Sequence, residues 1–315
     1  MTWRGAVWRG TITLALVVAA VAGPRPARAY VRAVADTTQL PVFWPSPCAV
    51  VTVYMDGFTQ LTSDEVAKSI AAAAQAWSPD VVTCPGTGAD GGPSHPSFEI
   101  ITQLASGGPT PDITGSDGKN SIIFRTTTWG HDATAIALTT RNTDPSGRII
   151  DADIEVNALP SYQNGYVWAN LDPGAPSAPG GMIQMDLQTA LTHEFGHFLG
   201  LGHTCFNTAI DAPPRPVDDQ GQPVPDCIQG ADIPEARAVM WYQVEPDSSN
   251  KRVLTDDDAR GVCAIYPPTS TPAACEANLP DDGCGCRAAG GRPAAGGALL
   301  LALGCLAGAR RRRST

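Results

Sequence analysis

The sequence predicts an α+β domain over residues 30–268, and three observations lead to that fold class. Hydrophobic residues make up 43% of the 315 residues and charged residues only 17%, so the chain can bury a substantial core. Its 32 glycines and 28 prolines favour strands joined by long loops over a helical bundle. Strand-like runs dominate the first half, and a few helical patterns are interleaved with them, as in an α+β domain.

The helices are predicted from their capping residues. Thr62 and Glu65 have the spacing of a capping box, and apolar residues at helical spacing follow them. Asp186 is predicted to cap a second helix with one apolar face. Thr255 and Asp258 repeat the capping pattern and predict a last helix.

The strands are predicted from apolar, β-branched and aromatic runs that lie between turn-forming segments. They cover residues 48–55, 98–104, 121–125, 134–140 and 148–157. Glycine, proline, serine and aspartate concentrate in residues 85–97, 105–119 and 207–238, which predicts two loops and one longer insertion.

Both ends of the chain look like targeting signals. Residues 1–29 combine arginines, an apolar run and a small-x-small site, which predicts a secretory signal peptide and Tyr30 as the first mature residue. Residues 269–283 are predicted to be a linker. Residues 284–315 contain Cys284-Gly285-Cys286, an apolar run and an arginine cluster, and they resemble the C-terminal sorting signal of myxobacterial exported proteins. That resemblance implies a secreted or cell-surface location, with membrane contact only through the tail before processing. An ordinary C-terminal anchor is the alternative.

The charge balance excludes two classes of partner. The arginines at the two ends leave 11 basic residues against all 31 acidic ones over residues 30–286. Such a negative domain repels nucleic acid and anionic membrane surfaces. Its acid-rich loops could hold Ca2+.

The cysteine content predicts disulfides, because nine cysteines occur in a chain with an export signal. Six of them precede the tail: Cys48, Cys84, Cys205, Cys227, Cys263 and Cys275. Sequence alone does not decide the pairing. Closeness along the chain favours Cys48–Cys84 and Cys205–Cys227.

Residues 193–203 read His-Glu-Phe-Gly-His-Phe-Leu-Gly-Leu-Gly-His and carry the strongest chemical signal in the chain. His193 and His197 are four residues apart on the second predicted helix, so both imidazoles can bind one zinc ion. Gly200 permits a left-handed turn that brings His203 back as the third ligand. Three imidazoles with an open fourth position are typical of a catalytic Zn2+ site. Glu194 is predicted to be the general base that takes a proton from the attacking water.

This motif is that of the metzincin metallopeptidases, which the chain resembles over residues 48–268. The segment around Met240 is similar to the Met-turn of that family, which implies that Met240 lies beneath the zinc ion. Asp257 and Asp258 are similar to the paired aspartates of matrixin-type members, which implies a C-terminal helix tied to the Met-turn. The resemblance implies the metzincin-type zincin fold, a mixed twisted sheet with an active-site helix, a Met-turn and a C-terminal helix.

Several departures from the matrixin pattern matter. Only His95 and His131 remain outside the motif, which is too few for the structural zinc site of matrixins, so His131 is predicted to be a loop residue. No latency segment precedes the domain, and Cys48 is a poor substitute for a cysteine switch. Tyr242 is closer to astacins and serralysins, in which a tyrosine at this position binds the metal at rest and the oxyanion during turnover. A tyrosine that only packs in the Met-turn is the alternative.

Together these observations predict an exported zinc metalloendopeptidase that acts on protein or peptide substrates. In the family the substrate lies extended along an edge strand, for which residues 134–140 are the candidate. Two other hypotheses stay open. One is a surface binding or adhesion domain that keeps zinc without turnover, and the other is a zinc amidase that acts on cell-wall peptides.

Overall fold

The structure is a computed structural model of the chain. It describes residues 30–87, 91–105, 116–175, 177–208, 211, 213–227 and 233–268. The chain divides into two units, Met1–Ala277 and Asn278–Thr315, and the second lies wholly outside the described residues. All described residues belong to the first unit.

The described residues form eleven strands and four α-helices. The strands are β1 (Val31–Arg32), β2 (Cys48–Tyr54), β3 (Cys84–Thr87), β4 (Pro93–Ser94), β5 (Glu99–Leu104), β6 (Asn120–Arg125), β7 (Ala137–Thr143), β8 (Ile149–Asn157), β9 (Tyr166–Ala169), β10 (Ile183–Asp186) and β11 (Leu201–Gly202). The helices are α1 (Ser63–Ala76), α2 (Ser161–Asn164), α3 (Leu187–Phe198) and α4 (Asp256–Ile265). Short 3-10 turns cover Pro179–Gly181 and Pro234–Arg237.

A five-stranded mixed sheet organises the domain, with the strand order β5-β2-β6-β8-β7. Four strands run parallel, and β7 runs antiparallel to β8 at one edge. Between Asp151 and Val156 the strand β8 alternates acidic and apolar side chains, which therefore lie on opposite faces of the sheet. The edge position of β7 leaves one of its sides unpaired within the described sheet.

The apolar face of the sheet packs against α1 and α3, and the main core lies between them. Trp77 at the end of α1 is 1% exposed and donates its indole N–H to the carbonyl of Thr192 on α3 at 2.9 Å. This bond satisfies the one polar atom of a large buried ring. The core thus fixes α3, the helix that carries most of the histidine motif, against the sheet.

Three smaller strand pairs lie outside the main sheet. The pair β1–β11 is antiparallel, β3–β4 is an antiparallel hairpin, and β9–β10 is parallel. The first of these matters for the site, because β11 lies between the second and third histidines of the motif. The chain segment that follows the predicted signal peptide therefore supports the loop that leads to the third histidine of the motif.

The α+β class predicted from the sequence is confirmed, and the three long helices begin at their predicted caps. The strand predicted for residues 134–140 covers Ala137–Thr143 instead. Asp132 explains the shift, since its carboxylate accepts hydrogen bonds from the backbone amide and hydroxyl of Thr134 and holds that residue in a turn. The predicted loop 85–97 contains most of the β3–β4 hairpin, which its glycines and prolines obscured.

The predicted pair Cys205–Cys227 is confirmed, and the predicted pair Cys48–Cys84 is wrong. Cys84 is bonded to Cys263 instead, because α4 returns to pack beside β3 although 179 residues separate the two cysteines. Among the described cysteines Cys48 is unpaired.

The predictions for the two ends concern residues outside the description. The signal peptide 1–29, the linker 269–283 and the tail 284–315 all lie there, so they stay predictions. Within the described ranges, none of the helices combines the length and apolar character needed to span a membrane.

Candidate metal centre

Helix α3 carries three residues of the motif and is anchored firmly at its first turn. Asp186 caps the helix by accepting hydrogen bonds from the Thr189 amide and hydroxyl at 2.9 and 2.7 Å. The Asp186 side chain is fully buried, and Arg252 binds it through two nitrogen atoms at 2.5 and 2.7 Å. A bidentate ion pair of this kind fixes geometry as well as charge. The start of the helix, and with it the position of His193, is thereby held.

The turn after α3 depends on Gly200. Its φ is +101°, in the region that favours glycine, and a Cβ at this position would lie 2.8 Å from the carbonyl oxygen of Val42. The amide of Ala33 on the N-terminal segment donates to the carbonyl of Gly200 at 2.9 Å. The chain then runs through β11 and returns His203 to the helix.

The three histidines of the motif meet at their Nε2 atoms. The Nε2 atom of His203 lies 3.2 Å from that of His193 and 3.0 Å from that of His197. Three nitrogen ligands arranged tetrahedrally at about 2.0–2.1 Å from a zinc ion would be about 3.3–3.4 Å apart. Within the described residues this is the one group of three or more His, Cys, Asp or Glu residues that could hold a metal ion.

Backbone carbonyls fix the tautomer of two of these rings. His193 Nδ1 lies 2.7 Å from the carbonyl oxygen of Val239, and His197 Nδ1 lies 2.9 Å from that of Leu201. A carbonyl can only accept, so each Nδ1 carries the proton and each Nε2 offers a lone pair to the centre. Such outer hydrogen bonds are typical of histidines that bind metals.

The charge state of the rings also fits a cation site. Burial, together with the neighbouring charged groups, lowers the pKa of His193 to about 3 and that of His203 to about 4. The pKa of His197 falls well below its usual value for the same reasons. Neutral imidazoles with converging lone pairs can bind a cation between them, and zinc accepts such a ligand set.

Glu194 is buried beside this centre and bound by the edge strand. One of its carboxylate oxygens, Oε2, accepts a hydrogen bond of 2.6 Å from the hydroxyl of Thr139 on β7. Burial raises the pKa of Glu194 to about 7, although the Thr139 hydrogen bond and the charge of Arg141 oppose that shift. A carboxylate with a pKa near neutrality suits proton transfer at physiological pH.

Met240 lies against the underside of α3 and is 2% exposed. Its turn is tied to α4 by Asp258, whose carboxylate accepts the amides of Val239 and Met240 at 2.9 and 3.2 Å. The same side chain also caps α4 through Thr255. The buried Asp258 carboxylate therefore connects α4 to the turn at Val239 and Met240, and the carbonyl of Val239 in turn contacts the His193 ring.

The other two predicted residues of this region have different surroundings. Asp257 binds Arg260 on the same helix at 2.8 Å. The Tyr242 ring packs against a second apolar cluster formed by Trp241 and the disulfide Cys205–Cys227.

The remaining histidines have local partners. His131 Nε2 lies 2.7 Å from a carboxylate oxygen of Glu155, whose other oxygen binds Arg125, and His95 Nδ1 lies 2.8 Å from the carbonyl of Val82. No calcium-binding group of acids occurs with its ligand atoms close together in the described part of the chain, so Ca2+ stays a prediction.

Sequence reasoning missed the strand residues that contact the motif. Thr139 holds Glu194, and Arg141 donates to the carbonyl of His197 at 2.7 Å. The two residues are two positions apart on β7, so strand periodicity predicts that their side chains share a face of the sheet. Nothing in the sequence indicates that this face meets α3. Arg252 was missed too, because its partner Asp186 is 66 positions away in the chain.

No protein-family model matches the chain, and no curated protein is similar enough to it to be recognised as a relative.

Proposed function

We propose that the chain is an exported zinc-dependent endopeptidase of the metzincin type. The observation that carries this proposal is the convergence of the three Nε2 atoms, with a buried carboxylate on the residue after the first ligand. The metzincin form of the fold belongs to the same proposal, supported by the mixed sheet, the glycine turn and the packing of Met240 under α3. The two disulfides support an oxidising location outside the cell.

The residues present fit a catalytic zinc ion. His193, His197 and His203 would hold it and leave a fourth position for water and substrate. When bound, zinc would supply Lewis acidity that lowers the pKa of water from about 15.7 to about 7 and polarises the scissile carbonyl.

Glu194 moves the proton in this proposal. Its carboxylate accepts a proton from the attacking water and returns it to the amine that leaves. Burial raises the pKa of the Glu194 carboxyl above its usual value, which makes the carboxylate a stronger base toward the attacking water.

The edge strand β7 is the proposed site of the substrate main chain. It lies at the end of the sheet and contacts α3, so a peptide added to it would lie beside the histidines. Main-chain hydrogen bonds along an edge strand bind an extended peptide with little dependence on its sequence. This supports protein or peptide substrates over small molecules.

The proposal is tested by hydrolysis of casein and of a broad peptide library. We expect activity that EDTA abolishes and zinc restores. Glu194→Gln should lose nearly all turnover, whereas Glu99→Gln, an exposed glutamate on the opposite edge strand, should keep it. A zinc-loaded protein with no hydrolysis of any peptide would favour the binding-domain hypothesis, and activity confined to cell-wall amides would favour the amidase.

A further inference from the structure

The edge strand holds the metal motif at two points. Thr139 and Arg141 are two residues apart on β7, so their side chains leave the same face of the strand. Their partners across the sheet, Ile154 and Ala152, both belong to the main core, which places this face toward α3. Thr139 meets Glu194, and Arg141 meets the last turn of the helix.

The contact of Thr139 with Glu194 is the closer and more specific of the two. The Thr139 hydroxyl lies 2.6 Å from the Oε2 atom and 3.1 Å from the backbone carbonyl oxygen of Glu194. A hydroxyl has one proton to donate, and the shorter distance assigns it to the carboxylate. Glu194 is only 6% exposed, so few waters can replace this donor.

A carboxylate that must accept a proton works best when its orientation is fixed. The C–C bond that carries the carboxylate rotates freely over a broad range unless a partner holds it. A donor on Oε2 stops that rotation and leaves Oε1 as the oxygen that accepts the proton. The donor is rigid, because threonine is restricted at χ1 and its strand is paired through the sheet.

Resting on the proposed function, we propose that Thr139 is a positioning residue for that reaction: its hydroxyl sets the orientation of the Glu194 carboxylate from the strand that binds the substrate. One rigid element, β7, then both holds the carboxylate of the base on α3 and pairs with the substrate main chain. The position of the Glu194 carboxylate relative to the bound peptide is thus fixed before the substrate binds, which lowers the free-energy cost of reaching a reactive geometry.

The test compares Thr139→Val, which keeps the shape and removes the donor, with Thr139→Ser, which keeps the donor. Thr102→Val, a half-buried threonine on the opposite edge strand β5, is the matched control. With a fluorogenic peptide, we expect Thr139→Val to lower kcat about 10-fold with KM nearly unchanged. Thr139→Ser should recover most of that loss, and Thr102→Val should behave as the wild type.

Two further readouts separate positioning from a structural role. Zinc affinity, measured by chelator competition, should be unchanged in Thr139→Val. In the Glu194→Gln background Thr139→Val should cause no additional loss of activity, since the residue acts through Glu194. Unchanged kcat in Thr139→Val, or a loss of activity matched by a loss of zinc, would overturn the proposal.

A crystal structure of Thr139→Val distinguishes failure of this inference from failure of the proposed function. A wild-type protein with no peptidase activity would refute the function, and the orientation of Glu194 would then decide the inference alone. A carboxylate that rotates away from its wild-type position supports the positioning role. One that stays in place refutes it.

Discussion

Met240 packs directly against α3 at Gly196, and this contact limits what position 196 can hold. A Cβ at Gly196 would lie 2.1 Å from the Sδ atom of Met240, 3.1 Å from its Cε atom and 3.0 Å from Cζ2 of Trp77. Met240 and Trp77 are 2% and 1% exposed, so neither side chain can move into open space. Gly196→Ala therefore forces a displacement in the core directly beneath the three histidines of the motif.

The expected magnitude combines two opposing effects. Overpacking a core of this kind costs about 1–3 kcal/mol. Alanine in a helix interior is favoured over glycine by about 1 kcal/mol. Gly196→Ala should thus lower the free energy of unfolding by about 1 kcal/mol in the wild-type background.

The sign of the effect should reverse when the methionine is shortened. In the Met240→Ala background the clash with sulfur is gone, so Gly196→Ala should raise the free energy of unfolding by up to about 1 kcal/mol. The difference between the backgrounds is a coupling energy of about 2 kcal/mol, typical of residues in contact.

Urea denaturation of the four metal-free proteins measures this coupling without a contribution from zinc binding. Gly130→Ala is the control, since its Cβ would meet no atom within 4 Å. If Gly196→Ala had the same effect in both backgrounds, Met240 would not be packed on the helix as described.

Three further predictions concern Gly200 in the turn after α3, Asp153 on strand β8, and Tyr242. Gly200→Ala should lower the free energy of unfolding by about 3 kcal/mol, because the φ of this residue is +101° and its Cβ would lie 2.8 Å from the carbonyl oxygen of Val42. It should also weaken zinc retention in equilibrium dialysis, and unchanged zinc retention would contradict the role of this turn. Burial and the charge of Asp151 raise the pKa of Asp153 to about 7. Between about pH 4 and pH 7 this carboxyl is therefore protonated in the folded state and ionised in the unfolded state, so the folded state loses stability as pH rises through that range. The free energy of unfolding of Asp153→Asn, relative to that of the wild type, should therefore rise by up to about 4 kcal/mol from pH 4 to pH 8 in urea denaturation. A relative stability that does not change with pH would refute this. Tyr242→Phe should keep kcat within about twofold, because the ring packs on the disulfide cluster, whereas a loss of about 100-fold at constant KM would assign the hydroxyl to the oxyanion.

The sequence was informative where structure is determined locally. Thr62, Asp186 and Thr255 cap their helices through residues three positions away, so a short window contains the whole signal. The histidine motif is equally local, since eleven residues carry all three histidines and the glycine between them.

Other features could not be predicted because they depend on distant partners. The strands β1 and β11 have two residues each and exist only because they pair with each other. Cys84 finds Cys263 through the return of α4, which closeness in sequence cannot indicate. Thr139 has no motif of its own, and its role follows from the packing of β7 on α3.

The central claim is that three histidines bind the metal while Glu194 remains a base and not a ligand. The most direct test is the zinc content per chain of purified wild type, His193→Ala, His197→Ala, His203→Ala and Glu194→Ala at neutral pH. The account predicts about one zinc ion in the wild type and in Glu194→Ala, and loss of most zinc in each histidine variant. A Glu194→Ala protein that loses zinc to the same extent as the histidine variants would contradict it.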